Sequence, residues 1–336
     1  MNKLKTRYMG LELDSPVVVG ACDLIENPAN LKKIEKAGAG ALVYKSLFEE
    51  QVKLEEIRLS NLLESYNERN AEMTQVFPGT AYAGPEEFLE KLKRVKQNMG
   101  IPVIGSLNAV FENTWVKYAQ GIEQTGVDGL ELNFFNVPFS FDKTSTEIED
   151  EQIRIVQQVV GTVKIPVSVK LSPYYTNLLN FLSRLNKTGI HGVVLFNKFF
   201  QPDVDLDQMK HTSPWNLSHE KEYRLALRYS GLLFGQGYGD VIASRGIMEG
   251  DDVIKLLLAG AQAVQVASTL YKNGIERIEE MNSSLTAWMN YKGYSAIDEF
   301  RGLLSRENTV NPTIYKRAQY IDMMLNSGKL VGGETV

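Results

Sequence analysis

Asp240-Val241-Ile242-Ala243-Ser244 is a short apolar run closing on a hydroxyl. Asp251-Asp252-Val253-Ile254-Lys255-Leu256-Leu257-Leu258 follows, with acids at its start and a stop before Gly260. Ala263-Val264-Gln265-Val266-Ala267-Ser268 then returns to strand-like composition. A run buried on both faces, an acid-capped helix ending at glycine, and a second run make one β-α-β unit with parallel strands. Six further runs precede it: Pro16-Val17-Val18-Val19-Gly20-Ala21, Ala41-Leu42-Val43-Tyr44-Lys45-Ser46, Pro102-Val103-Ile104-Gly105-Ser106, Gly129-Leu130-Glu131-Leu132-Asn133, Val167-Ser168-Val169-Lys170 and Gly192-Val193-Val194-Leu195-Phe196-Asn197. Eight strands separated by helical periodicity predict an α/β protein, a closed parallel (β/α)₈ (TIM) barrel.

Helical signals fill the gaps. Leu31 to Ala37 stops at Gly38, Pro85 to Leu92 carries Pro and acids in its first turn, and Glu151 to Val160 sets Ile153, Val156, Val159 and Val160 on one face. A doubly wound open sheet is the competing architecture. It needs no eighth unit and usually opens with a Gly-rich turn, which Gly20-Ala21-Cys22-Asp23 is not. The 336 residues read as one domain, 1–336, with long insertions near 48–84 and 199–223. Both insertions leave the C-terminal ends of strands, where barrel enzymes build their sites. They read as lids or substrate loops, or for the first as a dimer contact.

Composition narrows the function. Lys and Arg total 36 against 41 Asp and Glu, a net charge of −5, which argues against a broad basic field for nucleic acid. Cys22 is the single cysteine, so disulfides, zinc knuckles and iron–sulfur ligation within the chain are excluded. His191, His211 and His219 have no metal-ligand spacing, and no metal is expected. No stretch of eighteen apolar residues occurs, and Glu12 and Asp14 interrupt any leader-like run, so the expectation is a cytoplasmic protein without a membrane segment.

The strand ends carry the chemistry. Lys45, Ser46, Ser106, Asn108, Asn133, Lys170, Asn197, Ser244 and Ser268 close barrel strands and converge on the top face. Two lysines and three amides need a partner when buried together. An anionic or heteroaromatic ligand with carbonyls and ring nitrogens would satisfy them. Ser244-Arg245-Gly246 and Ala267-Ser268-Thr269 stand after strands seven and eight, where barrels commonly bind phosphate through backbone N–H groups. Gly246 permits close approach, and Arg245 could pair with the charge.

These residues resemble the class 1 dihydroorotate dehydrogenases, FMN-dependent barrels of pyrimidine biosynthesis. The likeness rests on Tyr44-Lys45-Ser46, Glu131-Leu132-Asn133 with Asn136-Val137-Pro138, Val169-Lys170-Leu171-Ser172-Pro173-Tyr174, Leu258-Ala259-Gly260-Ala261 and Val264-Gln265-Val266. It implies an oxidoreductase passing hydride between flavin N5 and a small cyclic substrate, dihydroorotate in the family. Gly20, Ala21, Lys45, Ser46, Asn133, Lys170, Ser244, Arg245, Gly246, Ala267 and Ser268 would bind FMN. Lys170 would meet the flavin N1–C2 carbonyl region, and Lys45, Asn133 and Asn197 would face the substrate. A homodimer is also implied.

The substrate half departs from the family. The pattern N-x-S-[CS]-P-N, which carries the Cys or Ser base, is replaced by Asn133-Phe134-Phe135-Asn136-Val137-Pro138. The N-S-x-G-x-P-N loop is replaced by Phe77-Pro78-Gly79-Thr80-Ala81-Tyr82, and the Gly-Gly phosphate turn by Arg245-Gly246. The catalytic base is therefore unknown. Cys22 reads as a small packing residue, His191 as structural, and His211 and His219 as solvated loop residues that could reach the pocket. The alternatives are a related flavoprotein with another substrate, a flavin-binding protein without turnover, or a flavin-free barrel acting on a phosphorylated substrate.

Overall fold

The computed structural model describes residues 2–54, 85–135, 141–199, 201–214, 217–316 and 318–325. Twelve strands occur among them: β1 Thr6–Tyr8, β2 Leu11–Leu13, β3 Val17–Val19, β4 Ala41–Phe48, β5 Val103–Asn108, β6 Gly129–Asn133, β7 Val167–Leu171, β8 Gly192–Leu195, β9 Asp203–Asp205, β10 Lys210–Thr212, β11 Asp240–Ser244 and β12 Ala263–Val266. Eight of them, β3–β8 with β11 and β12, close into a barrel. Every neighbouring pair around it is parallel. These are the eight apolar runs of the sequence, and the closed barrel excludes the open sheet.

The intervening helices are α1 Pro28–Lys36, α2 Glu86–Asn98, α3 Glu112–Gln124, α4 Ser145–Val160, α5 Leu178–Asn186, α6 Arg224–Leu233, α7 Gly250–Ala259, α8 Ser268–Asn273 and α9 Arg277–Lys292, with α10 Ala318–Leu325 beyond the barrel. Local chemistry sets their ends. Asn27 caps α1 ahead of Pro28, Thr144 and Glu147 form a reciprocal capping box at α4, and Gly260 closes α7. Gly105 shows why one strand position stays bare. A Cβ there would lie 2.3 Å from the Ile122 side chain of α3.

Strands β1 and β2 form an antiparallel hairpin absent from the sequence expectations. Its turn residues Met9 and Gly10 both have positive φ, at 52° and 81°, the conformation tight hairpins use. The hairpin plugs the barrel. Tyr8, Met9 and Leu13 pack with Val18, Ala41, Val43, Ile104, Val194, Ile242 and Ala263 in one apolar cluster. The second insertion carries another hairpin, β9–β10. Most of the first insertion lies outside the described residues, as do Phe77–Tyr82 and Asn136–Pro138.

Period two along each strand then dictates what lies above the apolar plug. From Gly129, which meets Met9, the inward positions on β6 run to Glu131 and Asn133. On β12 they run from Ala263 to Gln265, and on β7 from Ser168 to Lys170. The barrel axis is thus apolar at the bottom, polar and buried in the middle, and open at the top.

Candidate functional site

A cavity of about 360 Å³ opens at the C-terminal face, within the size range of small-molecule and cofactor pockets. Ala21, Lys45, Ser46, Asn133, Lys170, Asn197, Ser244, Arg245, Gly246, Ala267 and Ser268 all line it. Gly20 does not; it sits just beneath, its Cβ position 3.0 Å from the Gln265 side chain. Ser106 and Asn108 form a supporting layer instead. The hydroxyls of Ser46 and Ser106 are 2.7 Å apart, and Asn108 Nδ2 donates to the Asn133 carbonyl at 2.9 Å.

The floor is a buried polar chain. Lys170 Nζ donates to Gln265 Oε1 at 2.5 Å, and Gln265 Nε2 donates to Glu131 Oε2 at 2.7 Å. Lys170 Nζ also lies 3.9 Å from Glu131 Oε1. Glu131 is 1% exposed, Gln265 2% and Lys170 9%. Burying a carboxylate and an ammonium costs several kcal/mol each, offset here by their mutual attraction and the bridging amide.

One end of the cavity gathers charged side chains. Arg245 and Gly246 are successive left-handed residues, with φ of 82° and 70°, and they turn the chain under the cavity. Glu222 gathers two cations there: Arg245 Nε donates to it at 2.9 Å and Lys198 Nζ at 3.1 Å. Burial pushes the Glu222 carboxyl up, but Arg245 and Lys198 outweigh it and hold it below the usual carboxylate range. Two positive charges against one negative leave this end net positive. Ser268 Oγ accepts from the Ser218 N–H at 3.0 Å, which leaves its own proton to donate. The Ser244 hydroxyl instead donates to the Gln265 carbonyl at 3.2 Å, so its role is to tie β11 to β12.

The other end is amide-rich. Asn197 Nδ2 donates to Asn133 Oδ1 at 2.6 Å, and Asn133 Nδ2 reaches Ser46 Oγ at 3.4 Å. Lys45 Nζ lies 2.9 Å from Asp23 and 3.4 Å from Glu26. Burial lowers the Lys45 pKa, but these two carboxylates outweigh it and raise the ammonium above its ordinary value. Phe135 and Phe196 supply apolar wall.

Cys22 lines the cavity, but burial pushes its thiol up to about 11. It is a neutral packing group near pH 7. His191 Nδ1 accepts from the Val167 N–H at 3.3 Å, at the strand's N-terminal end. His211, on β10, and His219 are exposed and do not line the cavity. Among the described residues no cluster is placed to hold a metal ion, and no helix is long and apolar enough to cross a membrane.

Position at a strand end points to Lys170 and Asn133 but not to Glu131, Gln265, Lys198 or Glu222. Glu131 and Gln265 had a signal. Each is a polar residue inside an apolar run, two positions from a strand-end residue or small residue of the same face. Lys198 and Glu222 sit in loops with no periodicity to read.

A closed (β/α)₈ barrel whose strand ends converge on one cavity at the C-terminal face, with a buried lysine in its floor, has the architecture of a barrel enzyme. The chain belongs to the dihydroorotate dehydrogenase family: the profile described as "Dihydroorotate dehydrogenase" matches residues 3–289. Relatives extend the likeness over the whole barrel. A Methanocaldococcus jannaschii protein named dihydroorotate dehydrogenase B (NAD(+)), catalytic subunit, is 26% identical over 314 residues, covering 89% of this chain and 97% of its own. The protein of that name from Thermoplasma volcanium is 26% identical over 323 residues, covering 90% and 99%. That from Methanothermobacter thermautotrophicus is 26% identical over 315 residues, covering 89% and 98%.

Proposed function

We propose that this chain is an FMN-dependent oxidoreductase of the dihydroorotate dehydrogenase type, acting on a CH–CH bond of a small cyclic amide, dihydroorotate being the substrate to test first. The observation that carries it is the polarity of one cavity: a net positive phosphate turn at one end and the buried Lys170 ammonium in its floor. FMN has a phosphate and an isoalloxazine ring that gains negative charge on reduction, and these residues fit both. The turn at Gly246 packs tightly against the loop that carries Glu222. A Cβ there would lie 2.6 Å from the His219 carbonyl and the Glu222 side chain, so only glycine lets the backbone pass.

When bound, FMN supplies a two-electron acceptor for hydride. Arg245, Ser268 and the N–H groups around Gly246 and Ala267 would hold the phosphate. Lys170, in the cavity floor, would lie beside the ring and offset the charge that reduction adds. Asn133 and Asn197, linked to each other, keep amide groups for the carbonyls and N–H groups of a substrate ring, with Lys45 at that end. Oxidising a CH–CH bond to C=C also requires this chain to supply a base for the proton. Asn133-Phe134-Phe135 offers no base and Cys22 holds its proton, so that group is unassigned. Family likeness supports a cytoplasmic homodimer, which sedimentation of the purified protein tests.

Anaerobic addition of dihydroorotate to the FMN-loaded protein tests the reaction. Bleaching of the flavin band with formation of one orotate per flavin is expected. A flavin that dithionite reduces and dihydroorotate does not would reject dihydroorotate as the substrate.

A further inference from the structure

The buried carboxylate under Lys170 has no task in the reaction just described. Glu131 is 1% exposed, and its Oε1 makes no hydrogen bond among the described residues. Its Oε2 accepts from Gln265, whose other amide atom accepts from Lys170. The three side chains come from β6, β12 and β7, three separate strands meeting on the barrel axis. The donors all point the same way, from the ammonium through the amide to the carboxylate. The nearest cation to the orphan oxygen is Lys170 itself, at 3.9 Å.

A barrel that needed only to fill this layer would place apolar residues there, since replacing a buried ion pair by apolar groups is often neutral or stabilising. A barrel that needed only a cation beside the ring would leave Lys170 uncompensated. The pair with a rigid bridge does something else. It fixes the direction of the ammonium, and it partly cancels the field that the ammonium exerts on the cavity.

We infer that Glu131, acting through Gln265, is a positioning residue that tempers Lys170 and sets how strongly the site favours the reduced, negatively charged cofactor. This rests on the reading that Lys170 faces the flavin ring. Lys170 favours the charge that reduction adds, and Glu131, further away, opposes it. Removing the carboxylate therefore raises the reduction potential, and removing the ammonium lowers it.

The test uses the FMN-loaded full chain and dye-equilibrated reduction of the bound flavin, with four proteins compared: wild type, E131Q, K170M and E131Q/K170M. The expected order of potentials is E131Q, wild type, double variant, K170M. In E131Q the preference for reduced over oxidised FMN should rise about tenfold, roughly 30 mV for a two-electron couple. An E131Q potential at or below wild type overturns the inference. If E131Q fails to fold, the K170M background carries the same test, because adding Glu131→Gln there must again raise the potential. A merely structural Glu131 would change unfolding temperature and leave the E131Q potential at the wild-type value. A wild type that takes up no FMN would instead reject the function proposed above.

Discussion

Gly246→Ala is the substitution whose effect the structure fixes most tightly. Gly246 sits at φ 70°, where an L side chain adds roughly 1–2 kcal/mol of strain. The added Cβ would also meet the His219 carbonyl at 2.6 Å, Glu222 Cβ at 2.6 Å and the Glu222 N–H nitrogen at 2.8 Å. Two of those three neighbours are backbone and cannot rotate away, so overpacking adds about 1–3 kcal/mol. The sum is a loss of roughly 2–5 kcal/mol. Glu222 is also the residue that gathers Arg245 and Lys198, so pushing it outward dismantles that charged end of the cavity. Gly237→Ala is the control. Its φ of 72° brings the same strain, but nothing lies within 4 Å of its added Cβ. Urea unfolding of both variants, with FMN titration of each, separates strain from contact. Gly246→Ala should lose more stability than Gly237→Ala by the overpacking contribution and should bind FMN weakly, while Gly237→Ala binds it normally. Equal stabilities for the two, with FMN affinity intact in both, would refute the close approach at this turn.

Arg245→Gly relieves the left-handed φ of 82° but gives up the Arg245–Glu222 ion pair, so urea stability should stay within about 1 kcal/mol of wild type while FMN affinity falls roughly tenfold with the lost charge-assisted contact. Alkylation of Cys22 by iodoacetamide should be slow at pH 7–8 and accelerate only as pH approaches about 11, and Cys22→Ala should leave FMN binding within about twofold; rapid labelling at neutral pH would contradict the half-buried, protonated thiol. Glu222 has a folded-state pKa below its unfolded value, so its stabilising contribution is present above the unfolded pKa and is lost as pH falls through the folded one. Glu222→Gln should therefore flatten the acid limb of the stability profile, which equilibrium unfolding between pH 3 and pH 7 measures.

The fold was legible because its signal is additive. Eight β-branched runs, each bounded by Gly or Pro, leave little besides a closed parallel barrel, and the strand ends then fall together at one face. That is why Lys45, Asn133, Lys170 and Asn197, from four different strands, were found before their contacts. The missed parts are those whose cause is tertiary. Three-residue strands such as Thr6–Tyr8 and Leu11–Leu13 are too short to show a period, and only the barrel mouth they plug makes them strands. Ser106 and Asn108 looked like cavity residues because they end a strand. The wider ring of Ser46 and Asn133 in front of them makes them supports. Ser244 lines the cavity as its strand-end position implies, while its hydroxyl also ties β11 to β12 through the Gln265 carbonyl. Glu131 was visible as an acid inside an apolar run, but its meaning needed the partner strands β7 and β12.

The cofactor is the claim on which the rest depends. Its most direct measurement is the visible spectrum of the purified protein after incubation with FMN and gel filtration, with the flavin quantified after denaturation. The account predicts a yellow protein carrying one FMN per chain, with retention reduced in Gly246→Ala and Arg245→Gly. A colourless wild-type protein that retains no FMN would contradict it.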